Sequence, residues 1–513
     1  MKPLNRFLYF LALIKLVLPY LLQHGAYEPH RDELLYLAEG AHPAFGYMEV
    51  PPMISIFAWL TQRLGNNIFW IKFWPSLIGD LNLILVGRMV ISLGGRRFAL
   101  FLLFCSFFFT GFLRVHFLFQ PNSFEVFFYS LIAFGLIRFI QTNENKWLYI
   151  AGLGAGLGLL SKYSVAFYLV SLLPALLLTR QRRIFLNRHF YLALGLAFLI
   201  FLPNLIWQYI NHFPVIYHMK ELSSTQLQYV PVSVFLIEQI LMFLPCCFIW
   251  VIGFFYLLLN KKMRPFIFLC WAYLSVIVIL LLFHGKSYYS LGLYPILFGF
   301  GSLAIEQWTV SRRFFLRYFI ISIIVLPGIY FLFIGIPIYG PEKLAAFYQR
   351  THANGTGLLR WEDQREHPLP QDFADMLGWE EMARITAKAY HSMDSSQRAN
   401  AIIFCDNYGM AGAINFYRKK YQLPEAYSDN ASFLYWIPDS IKYQNLVLLT
   451  TDPDEMKHAF IREFEHAAVA GRVMNPYARE YGTQIILLTG ASDKFRKFFY
   501  DKLVEDRIKT RGY

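Results

Sequence analysis

Phe7-Leu8-Tyr9-Phe10-Leu11-Ala12-Leu13-Ile14-Lys15-Leu16-Val17-Leu18-Pro19-Tyr20-Leu21-Leu22 is apolar but for one lysine, and its reading decides the fold. Lys2 and Arg6 precede it in the manner of a signal peptide. The residues after it, Gln23, His24 and Gly25, offer no small-residue cleavage site, so the run reads as an uncleaved first transmembrane helix. Further apolar windows follow near residues 67–93, 98–119, 122–140, 147–160, 163–179, 189–210, 233–259, 265–284, 288–306 and 314–338. A span needs about 20 mostly apolar residues, so the pattern predicts a polytopic α-helical membrane protein with about eleven transmembrane helices. Only Ser161-Lys162-Tyr163 parts the two windows in 147–179, which leaves the count open by one.

Composition agrees. The 513 residues are 56% hydrophobic and 16% charged, where a soluble chain carries about a quarter charged. The 51 Phe and 33 Tyr suit lipid-facing surfaces and interfacial belts. The net charge of +13 does not indicate nucleic-acid binding, because Lys and Arg sit in short clusters between apolar runs. Cys105, Cys246, Cys247 and Cys270 lie in apolar runs and Cys405 stands alone, so no disulfide framework or metal-ligand spacing is visible.

The clusters set the orientation. Lys2/Arg6, Arg96/Arg97, Arg138/Lys146, Arg180/Arg182/Arg183/Arg188, Lys261/Lys262/Arg264 and Arg312/Arg313/Arg317 occupy one set of loops, and the alternate loops lack such clusters. The first set is therefore expected in the cytoplasm. An odd number of spans then places 339–513 outside. The outer loops gather Asp32, Glu33, Glu49, His116, Lys162, His212, His218, Lys220, His284 and Lys286 at one membrane face. Such residues either mark wet loops or build a site there.

The expected domains are a transmembrane unit, 1–338, with a first outer loop at 23–66, and a non-cytoplasmic soluble α/β domain, 339–513. In the latter, charges rise after Gly340-Pro341. Ala401–Cys405, Asn445–Thr451 and Gln484–Thr489 read as buried strands, and Gln371–His391 and Asp452–Glu465 as helices. Asn407-Tyr408-Gly409 reads as a turn opening a helix. It could receive an anion, though ordinary turn chemistry accounts for it.

In the first outer loop, His30-Arg31-Asp32-Glu33 begins an amphipathic run whose Leu34, Leu35, Leu37 and Ala38 could lie on the bilayer surface. Pro51-Pro52 breaks the chain before a second run, Ile54–Leu64. A carboxylate between two surface helices suits proton removal from an acceptor hydroxyl beside a lipid head group. Asp32 taken alone also fits a helix cap.

Arg31-Asp32-Glu33-Leu34-Leu35-Tyr36-Leu37-Ala38 and Gly46-Tyr47-Met48-Glu49-Val50-Pro51-Pro52 resemble the outer loop of lipid-phosphate-sugar-dependent glycosyltransferases of the GT-C architecture. The resemblance is to bacterial relatives of the protein O-mannosyltransferases and lipid A aminoarabinose transferases. Gly156-Leu157-Gly158-Leu159-Leu160-Ser161-Lys162-Tyr163, Gly285-Lys286-Ser287-Tyr288-Tyr289 with Tyr294-Pro295, Phe373–Trp379 and Asn407–Ala413 follow in the family's order. The resemblance spans nearly the whole chain. It implies an inverting hexosyl- or pentosyltransferase at the outer face of a bacterial inner membrane. The donor would be a polyprenyl-phosphate sugar and the acceptor a lipid, glycan or protein.

By the same resemblance, Asp32 is the catalytic carboxylate, Glu33 its neighbour in an acidic pair, and Glu49 the second loop acid. Arg31, Lys162, Lys286, Tyr288 and Tyr289 are expected at the donor phosphate. Cations and hydroxyls aimed at a leaving phosphate stabilise the charge it gains. Arg114 and His116 could act similarly or anchor the interface, and His116, Glu125 and His284 could line the cavity. The aminoarabinose transferases place Lys before Pro-Pro where this chain has Val50, which argues against that particular reaction. Gly292 stands where relatives often carry Pro.

No cofactor is required by this reading, but a divalent cation has room. His212, His218, His284 and Glu49 could converge on one, although no H-x-x-x-H or H-E-x-x-H pattern is present. Asp80, Glu125 and Glu238 fall inside apolar windows and should face protein or water, with Asp80 paired in the bundle. A transporter or flippase would show repeated halves, of which none is seen, and midplane charges, whereas here the charges cluster at one face. A non-catalytic scaffold would show no dependence on Asp32.

Overall fold

A computed structural model describes residues 2–225, 231–310, 314–438 and 442–510. Arg312 and Arg313 of the last basic cluster lie outside the described residues. The helices of the N-terminal part are α1 (Lys2–Leu22), α2 (Arg31–Ala41), α3 (Met53–Arg63), α4 (Ile68–Ser92), α5 (Arg97–Phe108), α6 (Phe112–Val115), α7 (Pro121–Thr142), α8 (Lys146–Ser161), α9 (Val165–Leu177) and α10 (Arg188–Ile210). They continue as α11 (Pro214–Thr225), α12 (Val232–Leu241), α13 (Cys247–Leu259), α14 (Phe268–Leu282), α15 (Tyr294–Trp308) and α16 (Leu316–Gly335).

The chain is a polytopic helical membrane protein. Among the described residues six helical segments are long and apolar enough to cross a membrane: α1, α4, α7, α10, 287–308 and α16. The pair α12–α13, bent by 68°, makes a seventh if it is one span. Every expected window holds a helix, but α5, α8, α9 and α14 are shorter than full spans. The interruption at Ser161-Lys162-Tyr163 is real, because Lys162 is extended and α8 stops before it.

Small residues let these helices approach closely. A Cβ at Gly301 would meet the Ile249 carbonyl oxygen at 1.8 Å, and one at Gly253 the Leu297 oxygen at 2.0 Å, so α13 and α15 touch backbone to backbone. Gly292 lies against the Tyr129 side chain, where a Cβ would come within 2.3 Å of the ring, so a larger residue does not fit. The expected pairing of Asp80 is with Lys15, at 3.1 Å. Ser287 Oγ donates to Glu238.

The C-terminal part comprises α17 (Pro341–Arg350), α18 (Gln371–Ala374), α19 (Trp379–Ser392), α20 (Ser395–Ala399), α21 (Tyr408–Tyr421) and α22 (Asp493–Thr510) around strands β1 (Ala401–Cys405), β2 (Ala426–Tyr427), β3 (Asn445–Thr450), β4 (Phe464–Arg472) and β5 (Gln484–Ala491). The sheet order is β2-β1-β3-β5-β4, with β2, β1 and β3 parallel and β5 antiparallel to both its neighbours.

Two expected helices differ. Gln371–His391 divides into α18 and α19 at Gly378, whose φ of +86° a side chain would resist. Asp452–Glu465 holds only short 3₁₀ turns before β4 begins. Phe464 onward pairs with β5 in register Ala467↔Leu488.

A third correction places the site. Leu34, Leu35 and Ala38 of α2 are not on the bilayer: they are buried with Trp379, Met382, Met410 and Ile414 in the C-terminal core. Gly412 permits this, since a Cβ there would lie 2.9 Å from the Leu34 carbonyl oxygen. The outer loop is thus gripped by α21. The second run, α3, does expose Ile56 and Trp59.

Candidate active site

Local structure aims Asp32 and Glu33 in opposite directions. His30 caps α2: its Nδ1 accepts the Asp32 N–H at 3.1 Å, and Glu33 accepts the His30 N–H at 2.8 Å. The Glu33 carboxylate also receives Lys72 Nζ at 2.6 and 2.7 Å and the Phe119 N–H at 2.7 Å. It is fully buried. Its acceptor capacity is engaged, so it fixes the loop to α4 and to the segment before α7 and has no access to an incoming hydroxyl.

Asp32 is half-buried. Its Oδ1 accepts Tyr408 Oη at 2.9 Å and its Oδ2 accepts Gln120 Nε2 at 3.1 Å. Each oxygen keeps a second lone-pair direction. The Arg31 guanidinium lies over the Tyr408 ring at 4.6 Å, so it packs beside the carboxylate.

From Asp32 a hydrogen-bonded chain leads to the lysines. Gln120 Oε1 accepts from Asn122 Nδ2 at 3.3 Å, and Asn122 Oδ1 accepts from Lys162 Nζ at 2.5 Å. Lys162 is also 3.2 Å from Glu125 and lies over the rings of Tyr288 and Tyr289, at 5.0 and 4.9 Å. Glu125 is buried and accepts from Ser164 Oγ at 2.5 Å, so it partners Lys162 and does not line open space. Lys286 Nζ stands 6.0 Å from the Tyr288 ring centre. Burial lowers the Lys286 pKa, Glu362 and Asp32 oppose that, and Lys162 adds to it, which puts both lysines and Asp32 in one electrostatic neighbourhood.

The second acid, Glu49, accepts the Ser432 N–H and Oγ–H, each at 2.6 Å. Beside it lies Glu39, fully buried, whose carboxyl is raised well above its usual range by burial and then by Glu49. Asp32, Tyr36 and Glu39 follow an i, i+4, i+7 stripe along α2, and Tyr36 feels Asp32, Glu39 and Glu49. Val50 is buried among Tyr47, Met53 and Ile54, so no contact to a phosphate replaces the missing lysine at that position.

Other expected residues lie elsewhere. His116 is buried between Phe107 and Phe112 and stacks on both. Arg114 bonds Asp372 and the Ile334 carbonyl, tying the bundle to the C-terminal part. His284 is exposed. His212, His218, His284 and Glu49 form no cluster among the described residues.

One largely buried group could hold a metal by its spacing: His30, Asp372 and Asp375, with Asp372 half-buried. His30 Nε2 is 3.7 Å from Asp375 and 3.9 Å from Asp372. Burial lowers the His30 pKa, but Asp372, Asp32 and Asp375 outweigh it and push it up to about 9. The cap at Nδ1 demands an unprotonated nitrogen there, and this 3.1 Å contact is the tighter constraint. It leaves the ring proton on Nε2, which then cannot ligate a metal. Arg114 and Arg479 already pair the two carboxylates. The group is an ionic clasp.

Gln120, Asn122, Tyr36, Glu39, Tyr408 and Ser432 were not expected in the site. Gln120-Pro121-Asn122 carried one signal, a polar step with Pro at the first turn of a helix. Asn407 does cap α21, accepting the Met410 N–H at 3.1 Å, as turn chemistry predicts.

Residues 49–207 match the family model for dolichyl-phosphate-mannose-protein mannosyltransferase, under a third of the chain. The lipid A galacturonosyltransferase RgtD of Rhizobium johnstonii is 26% identical over 205 residues, 37% of this chain and 41% of its own. The chain thus spans about two fifths of the length of that curated relative. Among solved structures, ArnT from Cupriavidus metallidurans bound to undecaprenyl phosphate matches at TM-score 0.62 and 12% identity, over 94% of this chain and 97% of that one. The oligosaccharyltransferase of Archaeoglobus fulgidus in complex with Zn and sulfate matches at TM-score 0.50 and 12% identity, over 86% and 68%. The chain has the GT-C fold, and part of it is similar in sequence to a lipid A galacturonosyltransferase.

Proposed function

We propose that this protein is an inverting glycosyltransferase that moves a sugar from a polyprenyl-phosphate donor to a hydroxyl of an acceptor at the outer face of the inner membrane. The observation that carries it is the hydrogen-bonded chain from Asp32 through Gln120 and Asn122 to Lys162, beside Tyr288, Tyr289 and Lys286. It joins a reachable carboxylate to a cationic, hydroxyl-bearing patch, the two functions that transfer from a phosphate requires.

In this reading Asp32 takes the acceptor's hydroxyl proton as the oxygen attacks the anomeric carbon. The bond from that carbon to the phosphate oxygen breaks, and the electron pair leaves with the phosphate. Lys162 has three N–H donors, two engaged by Asn122 and Glu125, so one is left for the phosphate. Lys286 adds charge, and the hydroxyls of Tyr288 and Tyr289 add donors. Attack opposite the leaving group inverts the anomeric centre. Glu33 fixes the loop and takes no proton, and Glu49 shapes the acceptor side. No step needs a metal.

The reading puts the basic loops in the cytoplasm and α2, α3 and the C-terminal part outside. The relatives suggest a first donor and acceptor. Purified protein in liposomes should move galacturonate from an undecaprenyl-phosphate galacturonate to lipid A, read as a mass increment on the lipid. If neither this pair nor a panel of other undecaprenyl-phosphate sugars and envelope glycans gives a product, the reading is wrong.

A further inference from the structure

The reacting carboxylate sits on the N-terminal loop, but half of its holding apparatus belongs to the far end of the chain. Tyr408 is the first residue of α21, and its hydroxyl bonds Asp32 Oδ1 at 2.9 Å across 376 residues. Its ring is roofed by Arg31. The helix has little freedom to withdraw. Gly412 lies against the Leu34 backbone and Gly409 against the Arg31 side chain, where a Cβ would come within 2.6 Å of Arg31 Cγ. One level further on, Tyr417 Oη donates to Glu28 at 2.8 Å, and Glu28 also caps α19 by accepting the Trp379 and Glu380 N–H groups at 3.0 and 2.6 Å. Burial, then the adjacent Asp32, raises the Tyr408 phenol well above its usual range, so the phenol keeps its proton and acts as the donor.

We infer that Tyr408 is a positioning residue: with Gln120 it holds the two oxygens of Asp32 so that the carboxylate presents its unused lone pairs to the acceptor hydroxyl, and the C-terminal part thereby completes the active site. The inference rests on Asp32 being the base. A carboxylate at the first turn of α2, held at Oδ2 alone, could rotate about its Cα–Cβ and Cβ–Cγ bonds. Held at both oxygens, its plane is fixed. Losing the bond should misplace the carboxylate.

A loss confined to kcat separates positioning from general damage. Tyr408→Phe in the full-length enzyme should lower kcat by about tenfold or more, because misplacement of a reacting group by about 1 Å costs up to about a hundredfold. The donor KM should stay within about twofold. Tyr417→Phe removes a clasp between the same helix and the same loop without touching Asp32, and it should leave kcat unchanged. The inference is overturned if Tyr408→Phe turns over like wild type, if its loss falls on the donor KM and not on kcat, or if Tyr417→Phe loses as much. Asp32→Asn assayed alongside keeps the two claims apart. An inactive Asp32→Asn with an unaffected Tyr408→Phe removes only the positioning role, whereas an active Asp32→Asn removes the reading beneath it.

Discussion

Asp32 and Glu33 are consecutive, yet the polar regions around them are built differently. Around Glu33 every partner is internal: Lys72, the His30 and Phe119 amides, and no solvent. Around Asp32 the partners are two neutral donors, Tyr408 and Gln120, and the side chain is only half-buried. The first region uses charge to lock α2 onto α4. The second keeps a charge exposed and oriented. A carboxylate whose lone pairs are all taken cannot accept a proton from substrate, so burial and saturation identify the structural member of the pair.

The largest effect on folding should come from breaking the locked region. Lys72→Ala leaves Glu33 buried without its cation, which costs about 3–5 kcal/mol for a pair of this kind. Thermal unfolding in detergent should show a pronounced fall in Tm and a weak yield. Lys72→Met with Glu33→Gln should recover much of it, because a neutral pair carries less desolvation cost. A Lys72→Ala protein as stable as wild type would mean that Glu33 is not locked and could itself be the base.

Sharpening the open region calls for binding measurements. Lys286→Ala should weaken binding of undecaprenyl phosphate by about tenfold, as loss of one charge-assisted contact does, and Lys286→Arg should retain most of the affinity. Equal binding by wild type and Lys286→Ala would take Lys286 out of the phosphate site. The smallest effect belongs to His284. It is exposed, so His284→Ala should leave turnover and binding within about twofold, the ordinary scale of a surface change. A large loss would return it to the cavity.

What could be read in the sequence follows the same division between local and distant causes. The membrane helices were visible because lipid imposes long apolar runs, and the break at Lys162 was visible as a polar interruption. Strands β1, β3 and β5 were visible as continuous buried apolar runs. The edge strand β4, Phe-Glu-His-Ala-Ala-Val-Ala-Gly-Arg, was not, because it is largely exposed and lacks a clean alternation. The likeness of 31–38 and 46–52 to a known loop singled out Asp32, Glu33 and Glu49 but could not separate their tasks. Lys72 lies 39 residues from Glu33, and Tyr408 lies 376 from Asp32. No local pattern encodes such pairings. The face of α2 read as bilayer-facing was apolar for a different reason: the C-terminal part covers it.

The central claim is that the proton leaves the acceptor through Asp32. Asp32→Asn keeps the size of the side chain and can still bond Tyr408, but it cannot accept the proton. Transfer from undecaprenyl-phosphate galacturonate to lipid A in liposomes, or with whichever donor and acceptor the wild type uses, should fall by about a thousandfold or more, near the upper range for loss of a general base. Undecaprenyl phosphate binding and the Tm should stay close to wild type. Substantial turnover by a folded Asp32→Asn protein would contradict the account and leave Glu49 as the next carboxylate to test.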